Sequence, residues 1–125
     1  MKYRLALLIL LLPIHYCFAD PDFAGTYKCK GFDPYLNRPY SGKITITPQN
    51  TVYRLVMDYD SDTDNYNGTA GLYDEHSLAV VFQSEKNLKK VGLERYAYSD
   101  DKKHIQGYWV YLGKDKLGSE VCEKE

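Results

Sequence analysis

Ile105-Gln106-Gly107-Tyr108-Trp109-Val110-Tyr111-Leu112-Gly113-Lys114-Asp115-Lys116-Leu117-Gly118-Ser119-Glu120-Val121-Cys122 is the stretch whose reading decides the fold. Ile105, Gly107, Trp109 and Tyr111 fall on one face of a pleat, and Gln106, Tyr108 and Val110 fall on the other. A turn over Gly113 to Lys116 then sends a second strand back toward Cys122. This pattern is the closing hairpin of a small β-barrel, and it holds both the only tryptophan and the last cysteine of the chain.

Six more segments complete the pattern with the two strands of this hairpin. Strands are expected at about Gly25–Gly31, Gly42–Thr47, Val52–Tyr59, Tyr66–Tyr73, Ser77–Gln83, Val91–Tyr98, His104–Leu112 and Lys116–Cys122, each bounded by Gly, Pro, Asn, Asp or Ser. Alternation is clearest where Ile44 and Ile46 share a face, and where Tyr53, Leu55, Met57 and Tyr59 oppose Arg54 and Asp58. A helical period is missing; Ser84 to Lys90 is the one place where a helical turn is expected. The fold class is therefore all-β, an eight-stranded antiparallel up-and-down barrel of the calycin or avidin type. Gly25-x-Tyr27, Gly71-x-Tyr73 and Gly107-x-Trp109 mark bends or close approaches of backbone in a curved sheet.

The first 19 residues read as an export signal. Lys2 and Arg4 precede the apolar run Leu5 to Leu12, Pro13 ends it, and Cys17-Phe18-Ala19 supplies a small-residue cleavage site. The run is far shorter than the roughly 20 residues that span a bilayer. Tyr16 stands where a lipoprotein signal carries a small residue, which disfavours lipidation at Cys17. Residues 20–125 are then one domain, secreted or periplasmic, with 14 basic and 17 acidic side chains and a formal charge of −3. That balance gives no reason to expect nucleic acid or an anionic membrane as partner. Cleavage leaves Cys29 and Cys122 as a pair in an oxidising space, and a disulfide between them is expected. First and last strands are neighbours in a closed meander, so the bridge and the barrel support one another.

Connections after the first, third and fifth strands are long, at Phe32 to Ser41, Asp60 to Asn65 and Ser84 to Lys90, whereas Pro48 to Thr51 and Asp74 to His76 are short. In a meander the long ones share one rim, where binding usually concentrates. Tyr35, Arg38, Tyr40, Lys86, Lys89 and Lys90 are the expected partner-contacting residues there. Of the eleven tyrosines that remain after cleavage, Tyr27, Tyr73, Tyr96 and Tyr108 are read as structural.

Glu94, Arg95 and Glu120 lie on strands near Trp109, and these four are the candidates for an interior cavity. An ionised group inside must be paired or hydrogen-bonded. Depending on register, Glu120 meets Arg54, Arg95 or tyrosine hydroxyls, with orientation of a ligand as the functional alternative. Asp58, Asp60, Asp62 and Asp64 alternate through the third loop and are a weak calcium candidate, lacking the glycine and the terminal acid of a helix-loop-helix site. His76 and His104 have no neighbours resembling a nucleophile or metal set, so neither catalysis nor a cofactor is expected. Asn67-Gly68-Thr69 matches a glycosylation acceptor, relevant in a eukaryotic secretory pathway.

The pattern Gly25-x-Tyr27, Tyr40-x-Gly42-x-Ile44-x-Ile46, Tyr53-x-Leu55, Gly68-x-Ala70-Gly71, Leu78-x-Val80, Gly92-x-x-x-Tyr96, Gly107-x-Trp109 and Gly118-Ser119-Glu120 resembles small exported bacterial proteins often labelled fibronectin-binding. That resemblance implies adhesion to a host matrix protein. Tyr27-Lys28-Cys29 with Cys122 is similar to the periplasmic inhibitors of C-type lysozyme, whose inhibitory loop Ser41-Gly42 resembles; their second motif, a lysine-containing loop after a tyrosine, has no counterpart. The leading expectation is a non-enzymatic binding protein that engages an extracellular or periplasmic protein or glycan through its long-loop rim. The alternatives are a lipocalin-like carrier of a small apolar ligand and a lysozyme-inhibitor-like protein.

Overall fold

The computed structural model describes residues 22–60 and 64–125. The expected signal segment 1–19, with Cys17, and Asp62 of the acidic loop lie outside the described residues. Eight strands follow one another as β1 (Gly25–Asp33), β2 (Arg38–Gln49), β3 (Val52–Tyr59), β4 (Asn65–Asp74), β5 (Ser77–Ser84), β6 (Val91–Tyr98), β7 (His104–Tyr111) and β8 (Gly118–Lys124). Each pairs antiparallel with the next, and β8 returns to β1, closing an up-and-down barrel without helices among the described residues. Closure leaves no strand edge open to pair with another chain.

The seam between the ends of the domain is stapled. Cys29 and Cys122 stand directly opposite in the β1–β8 ladder and form a disulfide across 93 residues of sequence. Linking so long a loop restricts the unfolded chain by about 4 to 5 kcal/mol in the chain-entropy picture.

Alternation carries the rest. Tyr27, Ile44, Ile46, Leu55, Met57, Leu78, Val80, Tyr96 and Ile105 point inward and are buried, and apart from the buried Ser77 beside Leu78 their strand neighbours are exposed or half-buried. Inward glycines make room for the larger rings. Phe82 lies across Gly92, Tyr96 across Gly107, Trp109 across Gly118, Tyr59 across Gly42 and Tyr40 across Gly31, each ring covering the residue directly opposite on the adjacent strand. A Cβ at any of these glycines would collide with that ring. The glycine-aromatic spacing along the chain is thus less informative than the pairing between strands. Gly71, for one, faces open space.

One end of the barrel is plugged. Phe23 is fully buried, stacks on Tyr98 at 4.2 Å between ring centroids and meets Tyr53 edge-on. Its carbonyl accepts a hydrogen bond from the Tyr27 hydroxyl at 2.8 Å, and Tyr98 donates to the carbonyl of Asp22. The opposite end carries the connections 34–37, 85–90 and 112–117, together with Asp60 after β3 and Asp64 before β4.

Four expectations need correction. The first long loop shrinks to 34–37, because Phe32-Asp33 and Arg38 to Ser41 extend the β1–β2 ladder. Residues 85–90 form bends and a turn rather than a helical turn, with Asn87 accepting from the Lys90 amide. β8 starts at Gly118, after an extended connection that Tyr35 holds. Tyr27 and Tyr96 are core residues, but Tyr73 and Tyr108 face solvent, since outward positions on a closed barrel have nothing to pack against.

Candidate functional site

The unplugged end opens into a cavity of about 50 Å³. Its entrance is formed by Asp33, Leu36 and Arg38; Tyr59, Tyr66, Phe82, Trp109 and Tyr111 wall it; Glu94 lies at its inner end. One water needs about 10–15 Å³, whereas drug-sized ligands occupy about 300–1,000 Å³. The interior is therefore mostly filled by side chains, with room for a small group just inside the mouth.

The walls are held by one another. Tyr66 meets Tyr59 and Phe82 edge-on at 5.9 and 5.7 Å, Phe82 meets Tyr111 at 5.9 Å, and Trp109 meets Tyr111 at 5.1 Å. Such edge-to-face pairs each contribute about 0.5–1.5 kcal/mol beyond area burial. The hydroxyls of Tyr66 and Tyr111 lie 3.2 Å apart.

Behind the aromatic wall lies an acid cluster. Glu94 on β6 lies opposite Trp109 and Glu120 on β8 lies opposite Gly107 of the intervening β7, and the side chain missing at Gly107 leaves the space that Oε2 of Glu94 and the Tyr96 ring use. Glu94 is 5% exposed and Glu120 1%. Tyr96 donates to Oε1 of Glu120, Tyr40 donates to Oε2 at 3.0 Å, and the Tyr59 hydroxyl lies 3.5 Å from the same oxygen. Trp109 Nε1 donates to the Tyr40 hydroxyl at 2.8 Å, so the indole is tied to the cluster. Glu120 is thereby the acceptor end of a network. No hydroxyl, amide or cationic donor among the described residues reaches Oε2 of Glu94.

Burial and the neighbouring carboxyl decide the protonation of this pair. Desolvation holds the Glu94 carboxyl well above the usual range, and the charge of Glu120 raises it further. Desolvation also raises Glu120, but hydrogen bonds from Glu94, Tyr96, Tyr40 and Tyr59 pull it back. The pair therefore holds a proton more firmly than free glutamates do, with Glu94 raised the further and Glu120 held back by the hydrogen bonds of its neighbours. Burial, with the charges of the two acids, keeps the hydroxyls of Tyr40, Tyr59 and Tyr96 protonated.

The sequence-derived candidates separate into three places. Glu94, Glu120 and Trp109 come together inside. Arg95, expected with them, points outward, pairs with Asp74 at 3.6 Å and lies over the Tyr73 ring, because it follows an inward residue on the strand. Arg54 also faces out, so neither arginine meets Glu120, and tyrosines take that role. Tyr40, expected on the rim, sits on β2 with its hydroxyl inside the barrel.

The rim keeps Tyr35, Arg38, Lys86, Lys89 and Lys90. Tyr35 donates to the Lys116 carbonyl at 2.8 Å and accepts from its amide at 2.9 Å, pinning connection 34–37 to 112–117. Lys90 places its ammonium 5.3 Å from the centroid of Tyr66 and 4.9 Å from that of Tyr111. Arg38, Lys86 and Lys89 are exposed. Among the acidic candidates, Asp58 faces outward on β3, Asp60 accepts from Ser41 at 3.3 Å, and Asp64 accepts from Ser84 at 2.6 Å. His76 is exposed, and His104 lies 3.5 Å from Asp101.

The wall residues Tyr59, Tyr66, Phe82 and Tyr111 were not singled out from the sequence as a site. Their signal was present in strand parity, since each shares a pleat face with core residues such as Met57 and Val80. No protein-family model matches the chain, and no curated protein does. Its architecture is similar to a redesigned β-barrel, mFAP1, solved bound to DFHBI, at a TM-score of 0.70 and 10% identity over 81% of this chain and 94% of that one. A second redesigned β-barrel matches at a TM-score of 0.71 and 7% identity over 82% and 90%. A de novo fluorescence-activating β-barrel matches at 0.58 and 11% over 82% and 94%. The likeness is one of fold.

Proposed function

We propose that this is an exported, non-enzymatic binding protein whose barrel mouth takes a compact ligand. The observation that carries the reading is the cavity itself: an open entrance, rigid aromatic walls and a single buried carboxyl, Glu94, at its inner end. Ligand sites combine mostly apolar walls with a few placed polar groups in this way. Export to an oxidising compartment is supported by the Cys29–Cys122 bridge. The test is a titration of small alcohols, amines and phenols followed by Trp109 emission, which reports on the cavity alone because the chain has one tryptophan. Quenching by donor-bearing compounds, weakened about tenfold in Glu94→Leu, is expected. A panel that leaves both emission and ligand NMR signals unchanged contradicts the reading.

A second reading has its own support. Leu36, Leu88, Leu112 and Leu117 are exposed on three connections of the same end, beside Arg38, Lys86 and Lys89. Apolar side chains gathered on a rim suit a protein partner better than a purely polar surface does. Replacing Leu88, Leu112 and Leu117, which do not line the cavity, by serine should abolish capture of a protein partner from extracellular material while leaving small-ligand binding intact; unchanged capture removes this reading.

A further inference from the structure

We propose that the group taken into the mouth is a primary ammonium, held by the aromatic walls and by the Glu94–Glu120 pair. The inference rests on the small-ligand reading above and names its chemistry. Three observations meet at one place.

The first is charge. Two carboxyls are buried side by side, and no lysine or arginine among the described residues forms an ion pair with either. A cation is the complement that a buried acid pair lacks. The second is the unfilled acceptor. Oε2 of Glu94 lacks a donor from the protein, and Glu94 lines the cavity. Either a proton shared with Glu120 or an N–H arriving from the mouth completes it. Ring geometry is the third. Tyr59, Tyr66, Phe82, Trp109 and Tyr111 enclose the space, and the protein's own Lys90 ammonium already stands over two of these rings, Tyr66 and Tyr111. Aromatic faces attract cations, more strongly where water is excluded. The cavity volume of about 50 Å³ suits an ammonium head on a short chain rather than a bulky molecule. At the mouth Asp33 stands against the positive charges of Arg38 and Lys90, so the attraction for a cation comes from the acid pair and the rings within.

Butylammonium and 1-butanol have the same heavy-atom outline, and both donate a hydrogen bond; they differ in charge. Calorimetric titration of the folded protein at neutral pH should show butylammonium binding about tenfold tighter than 1-butanol. The isosteric variant E94Q/E120Q should lose that preference while still binding 1-butanol. Equal affinities, or a preference that survives in the double variant, overturn the proposal. If 1-butanol binds and butylammonium does not, the proposal fails while the small-ligand reading stands; if neither binds, both fail. Should the double variant not fold, the wild-type comparison of the two compounds decides alone.

Discussion

Trp109 and Gly118 are directly opposed in the β7–β8 ladder, and the indole lies flat across the glycine. The ring can reach Tyr40 only because no Cβ stands beneath it. Gly118→Ala should therefore displace Trp109, lower stability by about 1–3 kcal/mol and alter tryptophan emission. Gly71→Ala, with nothing within 4 Å of the added methyl, is the matched control and should leave both unchanged. Urea denaturation followed by fluorescence compares the two.

Glu120 collects hydrogen bonds from Tyr40 and Tyr96, with Tyr59 close by. Glu120→Leu strands these hydroxyls in the interior and should cost about 3–5 kcal/mol. Glu120→Gln keeps an acceptor in place and should cost far less. Equal losses in chemical denaturation would show that the network contributes little.

The raised carboxyls give stability a defined pH dependence. Folded Glu94 and Glu120 hold protons more tightly than an ordinary glutamate, whose pKa is 4.5. Their contribution is thus complete below that value and is lost as pH rises through the folded pKa values, since the native state binds more protons than the unfolded one. Asp101, lowered from 3.8 to about 2 by Ser99, the Lys103 amide and His104, acts in the opposite direction, and its contribution disappears as pH falls through about 2. The thermal midpoint should decline above about pH 4.5, and E94Q/E120Q should flatten that decline. A wild-type midpoint that rises steadily to neutrality would contradict this.

Tyr35 bridges connections 34–37 and 112–117 through both backbone groups of Lys116. Tyr35→Phe should cost about 1 kcal/mol and speed hydrogen exchange at the Lys116 amide. Arg38→Ala, on the exposed rim, should leave stability within about 0.5 kcal/mol of the parent.

The barrel was legible because its determinants are local. Ile44 and Ile46, or Leu55 and Met57, declare a face by alternation, and a pair of cysteines near the two ends of the domain declares a seam. The site was half legible. Glu94, Glu120 and Trp109 stood out as chemistry on strands, but which of Glu94 and Arg95 points inward depends on register, and register is a property of pairs of strands. Tyr40 was misplaced for a related reason: the Pro39 before it and the Ser41 after it read as loop, whereas the β1–β2 ladder continues through them as far as Asp33 and Arg38. The acid pair itself joins β6 to β8 over Gly107, a relation between three strands that no single stretch displays.

A proton held at the buried Glu94 beside Glu120 underlies both the pH dependence and the binding proposed above. Infrared spectroscopy of the protonated carboxyl stretch at neutral pH tests this directly. The expected result is a carboxylic-acid band in the parent protein that is absent in Glu94→Gln. A parent spectrum without that band, or a band that persists in the variant, would contradict it.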